Sequence, residues 1–460
     1  MSSQEQQISA ACNRRAAFLK ALRVNPISQN SGEKPLAVIF TAPTYIRNND
    51  VEHFYRPGSD MMYLTAFNEP ESILVLRPGA DDGHESILFV RPKNPEKELW
   101  DGFRQGPQGA KELFKVDAAY NVDEFDKKIN ELISGHTSLW ANWGEFPQQD
   151  AQLLKAYRST RLRTRKSGIY PFVLGEIAEV LHEQRQQKDS LEIAAMRQAG
   201  KLSGDAFHKV MQGTHAGLNE SDIAAYMQYQ FSRAGAQRAG YGSIVAGGSN
   251  ACVLHYVENN QALKDGDLLL VDAGGEMDMY TADITRTWPV NGRFSPAQKD
   301  LYEVVLAAQM AAIESTRVGN SIYTVHQKSR SIIAQGLLDL GILKGSLQEV
   351  LGDEAHPTKA PLQKYFMHGT SHWIGSDVHD VGRYFDGETP RVFAPGMAIT
   401  VEPGVYIPIN DESVDPVYRG IGIRIEDDIL ITEDGNEILT DSAPKTVAEI
   451  EAVVGQHPLK

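Results

Sequence analysis

The sequence predicts two domains: a smaller α/β domain over residues 1–180 and a larger one over residues 181–460. A chain of 460 residues is too long for one small core. In the first part, short apolar runs alternate with helical stretches, as in an α/β domain. In the second part, long amphipathic helices recur twice among apolar strands. This two-fold rhythm favours an α+β domain in which helices cover one side of a curved antiparallel sheet.

Three apolar runs define the first strands of the N-terminal domain. They cover residues 36–40 (LAVIF), 72–76 (SILVL) and 86–90 (SILFV). Such short runs, rich in β-branched and aliphatic residues, are typical of strands. The charged segment 121–132 follows as a predicted helix. The polar run 182–189 marks either a domain boundary or the entry to a helix.

Capping residues locate helix starts in the C-terminal domain. Asp189, with a Glu three residues later, forms a predicted capping box for a helix that runs toward Gly213. Ser295, with proline at the first helical position, opens a second helix toward Gly319. Asn219 lies in the triplet Asn-Glu-Ser, which we interpret as a helix start rather than a glycosylation site.

Two aspartates lie where strand-like segments turn. Asp272 ends the apolar run 268–271, and Ala-Gly-Gly follows it as a turn. Residues 280–287 form a second strand-like stretch at hairpin distance, which brings Asp283 back beside Asp272. Taken singly, an Asp before Gly is usually a turn former, and Asp283 could face solvent.

Two glutamates lie on later strands. The apolar strand 398–401 is followed by Glu402, and in residues 421–426 isoleucines alternate with other residues. Arg424 and Glu426 therefore share the face opposite the isoleucines. A single strand Glu is more often a charge at the rim of a sheet. Several strands that end or centre on carboxylates are tolerated in a soluble core only at a site.

His372 completes a set of five candidate ligands. A lone histidine is more often structural, but chance alone would have to place all five residues in matching local contexts. Four acidic side chains at one spot repel each other strongly unless cations neutralise them. Two divalent ions would balance that charge, and oxygen ligands with one nitrogen suit Mn²⁺ or Mg²⁺. The sequence therefore predicts a two-metal hydrolase.

Four segments carry a resemblance to a known family: residues 271–283, 367–375, 401–404 and 422–427. Together they resemble the pita-bread metallopeptidases and, within that group, aminopeptidase P and its close relative prolidase. The resemblance extends over nearly the whole chain and implies a pita-bread fold for the C-terminal domain. The metal ligands that it implies are Asp272, Asp283, His372, Glu402 and Glu426.

The resemblance also implies roles for residues around the metals. His255 and His379 would contact the substrate or the transition state, because an imidazole can donate to a developing oxyanion or handle a proton near neutral pH. Glu402 would also move a proton. His368, Tyr406 and Trp100 would contact the substrate. Arg424, two residues before Glu426 on the same strand face, could hold Glu426 in place or contact the substrate. From the residues alone, the histidines, Tyr406 and Trp100 could each be packing residues instead.

The implied reaction removes the N-terminal residue from peptides with proline in second position. Two metal ions about 3.5–4 Å apart, expected to be Mn²⁺, could share a bridging water and supply hydroxide at neutral pH. Prolidase, which cleaves Xaa-Pro dipeptides, is the alternative. Prolidases tend to carry a longer insertion than the 23 positions between His379 and Glu402 here. A metal-free pita-bread binding protein is the remote alternative.

Composition bounds the partners and the compartment. The net charge of −15 argues against nucleic acid and against an anionic membrane surface. Two cysteines, Cys12 and Cys252, form no disulfide framework and suggest a reducing compartment. The first 20 residues are polar, and no segment reaches the length of a membrane span, so we expect a cytoplasmic protein. Proline-containing peptides are the expected partners, and the resemblance implies a homo-oligomer, either dimer or tetramer.

Overall fold

The chain divides into two compact units, residues 1–185 (unit 1) and residues 186–460 (unit 2). The structure is a computed structural model that describes residues 3–166, 168–352 and 359–457. The boundary predicted between residues 180 and 181 lies inside the helix Ala178–Gln186. Within the described residues, no helix combines the length and the apolar character needed to cross a membrane.

Unit 1 is an α/β domain on a six-stranded sheet, which confirms the predicted class. Its helices are α1 (Ser3–Val24), α2 (Pro26–Asn30), α3 (Ser59–Thr65), α4 (Pro95–Asp101), α5 (Gly106–Phe114), α6 (Phe125–Ile133), α7 (Pro147–Thr164) and α8 (Ala178–Gln186). Its strands are β1 (Pro35–Phe40), β2 (Ile46–Asn48), β3 (Val51–Glu52), β4 (Ile73–Leu76), β5 (Ser86–Val90), β6 (Ala118–Asn121), β7 (Ser138–Ala141) and β8 (Val173–Glu176). The sheet order is β6-β5-β4-β1-β7-β8, while β2 and β3 form a separate hairpin.

Alternate residues of the unit 1 sheet enter two separate cores. In β1, Ala37 and Ile39 pack in the core that contains residues of α1, α3 and α5. Leu36 and Val38 pack in the other core, with residues of α6 and α7. Because successive strand residues point to opposite faces, the continuous apolar run at β1 is explained by helices on both sides of the sheet.

Unit 2 consists of helices and short antiparallel strands. Its helices are α9 (Ser190–Gly213), α10 (Glu220–Arg233), α11 (Pro296–Ser315), α12 (Ile322–Asp339), α13 (Leu347–Leu351) and α14 (Val447–Val453). Its strands are β9 (Arg238–Ala239), β10 (Ile244–Gly247), β11 (Leu268–Asp272), β12 (Gly275–Met277), β13 (Tyr280–Thr281), β14 (Thr285–Pro289), β15 (Phe385–Asp386), β16 (Thr389–Pro390), β17 (Ala398–Val401), β18 (Gly404–Tyr406), β19 (Gly422–Arg424), β20 (Asp427–Thr432) and β21 (Gly435–Ile438).

The strands of unit 2 pair in small antiparallel groups. The two main groups run in the orders β10-β11-β14 and β17-β20-β21, and β13-β12-β9 and β18-β19 lie in further groups. One large core joins residues of α9, α10, α11 and α12 to residues of β11, β14 and β19. The predicted antiparallel strands covered by helices are therefore present.

The predicted helix starts of unit 2 are confirmed. Asp189 and Ser295 each form a capping box, and the side chain of Asn219 accepts a hydrogen bond from the second helical residue that follows it. Helix α9 ends at Gly213 as predicted. Helix α11 ends at Ser315, earlier than the predicted limit near Gly319, because the main chain turns at Thr316 with a φ of −78° and a ψ of 83°.

Two predicted strands are each divided in the structure. Residues 280–287 form β13 and β14 with a break at residues 282–284, since β13 pairs with β12 while β14 pairs with β11. Of residues 421–426, only Gly422–Arg424 form β19, and Glu426 lies between β19 and β20. Here β19 pairs with β18, and β20 pairs with β17. Asp283 and Glu426 thus both lie where the chain exchanges one strand partner for another.

Candidate metal centre

Four carboxylates and His372 from separate elements of unit 2 meet at one cavity of about 520 Å³. Asp272 is the last residue of β11, and Glu402 directly follows β17. Asp283 and Glu426 lie in the two strand breaks described above. The cavity is lined by Tyr241, Gly242, Ile244, Leu254, His255, Val257, Asp272, Asp283, His368, Gly369, Ser371, His372, Val378, His379, Glu402, Arg424 and Glu426.

A glycine allows the two aspartates to come together. A Cβ at Gly274 would lie 1.7 Å from the carbonyl oxygen of Ala282, so this close approach of the chain requires glycine. The hydroxyl of Tyr241 donates to Asp272 Oδ1 at 2.6 Å and also contacts Asp283 Oδ1. The predicted proximity of Asp272 and Asp283 is therefore present.

His372 faces two of the carboxylates. Its Nε2 lies 3.5 Å from Asp283 Oδ2 and 3.7 Å from Glu402 Oε1. Its Nδ1 lies 2.9 Å from the carbonyl oxygen of Trp373, and its main-chain N–H donates to Thr400 Oγ1 at 3.1 Å. The contact of Nδ1 with the carbonyl oxygen of Trp373 thus orients the ring so that Nε2 is directed at the carboxylates.

Arg424 and Glu426 are joined through Thr285. The Thr285 hydroxyl donates to Glu426 Oε2 at 2.6 Å and accepts from Arg424 Nε at 3.0 Å. Arg424 Nη2 forms a buried ion pair with Asp272 at 2.5 Å. The predicted shared face of Arg424 and Glu426 is therefore present, and the direct ionic partner of Arg424 is Asp272.

Negative charge is in surplus at this site. Burial, together with the neighbouring carboxylates, raises the pKa of Glu426 well above its usual range and that of Glu402 to about 7. Burial also raises the pKa of Asp272, although Arg424 opposes it. Asp283 differs: despite burial, the contact with His372 lowers its pKa. Burial lowers the pKa of His372, but Asp283 and Glu402 outweigh it and raise that pKa to about 9.

This donor set fits divalent metal ions. Ligand atoms of Asp283, His372 and Glu426 all lie within 4.8 Å of one another. Asp272 and Glu402 border the same cavity, so four carboxylates and one imidazole are available. Raised carboxyl pKa values mean that the protein groups alone do not neutralise this charge. Hard divalent cations, which prefer oxygen ligands, would neutralise it.

Three further histidines, His255, His368 and His379, surround the candidate ligands. His255 lies on the segment that connects β10 to β11, and it lines the cavity. The ring of His379 packs edge-on against His372 with centroids 4.3 Å apart. Asp380, next to His379, forms a buried 2.8 Å ion pair with Lys188. The predicted histidines are thus brought together around one site.

Tyr406 lies behind the wall of the cavity. Its side chain is 1% exposed, and its hydroxyl lies 2.8 Å from His368 Nε2 and 3.1 Å from Arg424 Nη1. Burial is the main cause that lowers the pKa of His368 to about 3, so this imidazole is neutral at physiological pH. Tyr406 supports two residues that line the cavity.

Trp100 lies in unit 1 on α4, where its side chain is 86% exposed. The alternative considered from the sequence was packing in the core or at an interface; packing of Trp100 into the core of its own unit is therefore wrong, and packing at an interface stays a prediction. The prediction that Trp100 contacts substrate stays a prediction.

Three further residues at the site were not predicted from the sequence. Tyr241 bridges two aspartates, Thr285 bridges Arg424 and Glu426, and Asp428 Oδ2 accepts the main-chain N–H of Asp283 at 3.0 Å. No local pattern marks Tyr241. The strand position of Thr285, two residues after Asp283, placed it on the same face and was a usable signal.

Comparison with known proteins identifies the family. Residues 194–433 match metallopeptidase family M24, and residues 11–140 match the aminopeptidase P N-terminal domain. The Xaa-Pro aminopeptidase of Escherichia coli (strain K12) is 41% identical over 91% of this chain and 93% of its own length. Xaa-Pro aminopeptidase 3 of Homo sapiens is 37% identical over 93% of this chain and 82% of its own.

Solved structures agree in fold. The aminopeptidase PepP of Pseudomonas aeruginosa superposes with a TM-score of 0.90 at 43% identity and covers 97% of both chains. A zinc-substituted E. coli aminopeptidase P in complex with product has a TM-score of 0.89 at 40% identity, with coverage of 97% of this chain and 98% of that one. The predicted family and the two-domain pita-bread fold are confirmed. The chain belongs to metallopeptidase family M24 and carries an aminopeptidase P N-terminal domain.

Proposed function

We propose that this enzyme removes the N-terminal residue from peptides that have proline in second position, with two divalent metal ions in the cavity of unit 2. The observation that carries the proposal is the convergence of four carboxylates and His372 on that cavity, with the relatives' shared name in support. The two relatives described above are both named Xaa-Pro aminopeptidases and match more than nine-tenths of this chain.

The proposed metal ligands are those predicted from the sequence: Asp272, Asp283, His372, Glu402 and Glu426. Bound divalent ions would supply Lewis-acid activation of water and of the scissile carbonyl. The oxygen-rich donor set supports Mn²⁺ as the native metal. A zinc-substituted form is known for the E. coli relative, so the identity of the ion needs its own measurement.

The side chains around the metal site have separate proposed roles. Glu402 borders the cavity beside His372 and is proposed to take and return a proton near neutral pH. His255 and His379 border the same cavity and are placed to donate to the carbonyl oxygen as charge develops on it. Arg424 and Tyr241 hold Asp272 in place.

Proline specificity has a physical rationale in this cavity. An Xaa-Pro bond has no N–H after the scissile carbonyl, so a specialist enzyme must recognise the ring by shape. Flat or apolar side chains suit that purpose, and His368, His379, Leu254, Val257 and Val378 line the cavity. Tyr406 would act through His368, which it contacts, rather than by touching the ring.

The deciding assay uses chelator-treated protein reconstituted with Mn²⁺ and given Gly-Pro and Gly-Pro-Ala in parallel. We expect release of Gly from the tripeptide with little from the dipeptide. Cleavage of the dipeptide alone would instead establish a prolidase. Failure to cleave either peptide with two metals bound would contradict the proline specificity, and failure to bind metal would favour the metal-free binding protein.

Metal identity is tested by the same protein loaded separately with Mn²⁺, Mg²⁺, Zn²⁺ and Co²⁺. We expect two ions per chain at saturation and the highest kcat with Mn²⁺. A clearly higher kcat with another ion at equal occupancy would contradict the manganese assignment.

A homo-oligomer is proposed from exposed apolar side chains of unit 1. On and beside the β2–β3 hairpin, Ile46 is 66% exposed and Phe54 is fully exposed. On and beside α4, Leu99, Trp100 and Phe103 are each more than 60% exposed. Contiguous exposed apolar groups usually mark an interface or a binding site.

Light scattering of the full chain tests this, with Phe54→Ser and Trp100→Ala as variants. We expect the wild type to be larger than a monomer and at least one variant to dissociate. If Trp100 contacts substrate, Trp100→Ala should also raise KM. A monomeric wild type would contradict the oligomer. The cytoplasmic location, predicted from the cysteine usage, the polar first 20 residues and the absence of a segment of membrane-span length, stays a prediction.

A further inference from the structure

The segment that carries His255 has little regular structure of its own. It connects β10 to β11, begins with a 3-10 turn at Gly248–Cys252 and continues without helix or strand to residue 261. A backbone of this kind has no strand ladder to fix it, so other groups must hold it in place. His255 itself is exposed in the cavity.

A single buried carboxylate ties this segment together. Glu220, the first residue of α10, is 0% exposed. Its Oε1 accepts the main-chain N–H of Gly247 at 2.8 Å and Asn250 Nδ2 at 3.0 Å. Its Oε2 accepts the Tyr256 hydroxyl and the main-chain N–H of Gln261, both at 2.9 Å. The four donors come from the start, the middle and the end of the segment.

Tyr256 connects this anchor to His255. The two residues are neighbours in the chain, but Tyr256 is 7% exposed and packs in a small core with Ile244, Ala246, Ala251 and Leu270. Because the side chain of Tyr256 points into this core, the imidazole of His255 lies on the cavity side.

We propose that Glu220 and Tyr256 are positioning residues that hold His255 at the reacting carbonyl. The proposal rests on the proposed function. A group that stabilises a transition state must be held within about 0.5 Å of its productive place, and a misplacement of about 1 Å can lower the rate by roughly 100-fold. The Glu220 carboxylate supplies that restraint at a distance, with no contact to the metal ligands among its four hydrogen bonds.

A double-mutant cycle on the metal-loaded full chain tests the proposal, with Tyr256→Phe, His255→Ala and the combined variant. Tyr256→Phe keeps the ring and removes two hydrogen bonds of the hydroxyl, the one that it donates to Glu220 and the one that it accepts from Asn250 Nδ2 at 3.2 Å. We expect it to lower kcat about three- to tenfold with full metal content and an unchanged KM. In the His255→Ala background, we expect the same change to lower kcat by less than about twofold.

The matched control is Tyr302→Phe, which removes a buried hydroxyl that donates to the carbonyl oxygen of Lys445 at 2.7 Å, away from the segment. It should lower stability by a similar amount and leave kcat within about twofold. Equal effects of Tyr256→Phe in both backgrounds, or none in either, would overturn the positioning role.

Glu220→Gln gives a second test. The main-chain donors of Gly247 and Gln261 lie on opposite oxygens, and an amide has one acceptor oxygen, so one N–H must face an NH₂ group. We expect a larger loss than with Tyr256→Phe and the same dependence on His255. If this variant does not fold, Tyr256→Phe alone decides. An inactive wild type would overturn the proposed function itself, whereas an active wild type with an additive cycle overturns the positioning role alone.

Discussion

Glu426 and Asp427 are adjacent in the chain, yet they enter two buried clusters of charge with opposite character. Glu426 joins the metal-centre cluster of Asp272, Asp283, His372 and Glu402. Asp427, which is 0% exposed, joins a second cluster that we call the Arg286 cluster: Arg286, Gln309, Asp427, Thr440 and Lys445. The same stretch of main chain therefore contributes one carboxylate to each.

In the Arg286 cluster the buried anion is fully compensated, because two cations surround one carboxylate. Asp427 Oδ1 accepts from Arg286 and Thr440, and its Oδ2 accepts from Lys445 and Gln309, all at 2.7 Å. Burial would raise the pKa of Asp427, but Arg286 and Lys445 outweigh it and lower the pKa to about 2. Every acceptor site is used, so the cluster needs no external ion.

In the metal-centre cluster the charge is not balanced. Four carboxylates share one arginine and one histidine, and burial raises the pKa of Glu426 and Glu402. Burial of charge therefore does not by itself identify a site. Buried carboxylates that outnumber the cations around them do, because a stable fold retains such excess negative charge only if a cationic ligand compensates it.

The largest expected effect is that of Glu426→Gln, which removes a proposed ligand and keeps its volume. We expect activity to fall by at least about 10⁴-fold, because the site loses a metal that activates water. Without metal, the variant should unfold at the same temperature as the wild type or higher, since a neutral amide avoids the cost of burying a carboxyl group among other carboxylates. Metal content, kcat and Tm check this. Retained turnover would contradict the ligand assignment.

Asp427→Asn is the matched change in the Arg286 cluster. It leaves Arg286 and Lys445 buried without their anion, so we expect a loss of about 3–5 kcal/mol in the free energy of unfolding. Denaturant unfolding of the metal-free proteins measures it. If Glu426→Gln destabilised the fold as much as Asp427→Asn, the distinction between the two clusters would be wrong.

The two clusters should respond to pH in opposite directions. The folded pKa of Glu402 is about 7 against 4.5 for an ordinary Glu. The folded state therefore binds more protons between these values, and metal-free protein loses stability as pH rises from about 4.5 to 7. Each pKa unit corresponds to about 1.4 kcal/mol, so the shift of the Glu402 pKa from 4.5 to about 7 lowers the free energy of unfolding by about 3 kcal/mol over this range.

For Asp427 the sign is reversed. Its folded pKa of about 2 lies below 3.8, so its contribution is present above pH 3.8 and is lost as pH falls toward 2, by about 2 kcal/mol. Denaturant titrations at several pH values, with and without saturating Mn²⁺, separate the two. Bound metal should remove the decrease in the free energy of unfolding between pH 4.5 and 7, and its binding should release protons. If this pH dependence were the same with and without metal, the surplus of negative charge at the metal centre would be contradicted.

The smallest expected effect is that of His255→Ala. His255 borders the cavity and is not a proposed ligand, so we expect kcat to fall at least about tenfold while metal content and Tm stay as in the wild type. Kinetics on Gly-Pro-Ala and metal analysis check this. Unchanged kinetics would make His255 a structural residue.

Most of the fold class followed from local patterns. The runs at β1, β4 and β5 and the caps Asp189 and Ser295 each depend on a few adjacent residues, so the sequence predicted them directly. The breaks within residues 280–287 and 421–426 could not be predicted in this way. They arise because neighbouring residues pair with different strands, and strand pairing is not local in sequence.

The site shows the same division. Residue types were enough to predict which side chains can bind metal, because ligand chemistry belongs to the residue type and the family segments carry it in order. How the charge of these side chains is shared depends on the folded structure: Arg424 pairs with Asp272, Tyr241 bridges two aspartates, and Tyr406 lies behind the cavity wall. These contacts could not be predicted because solvation and Coulomb energies depend on distances between residues far apart in the chain, which no local pattern records.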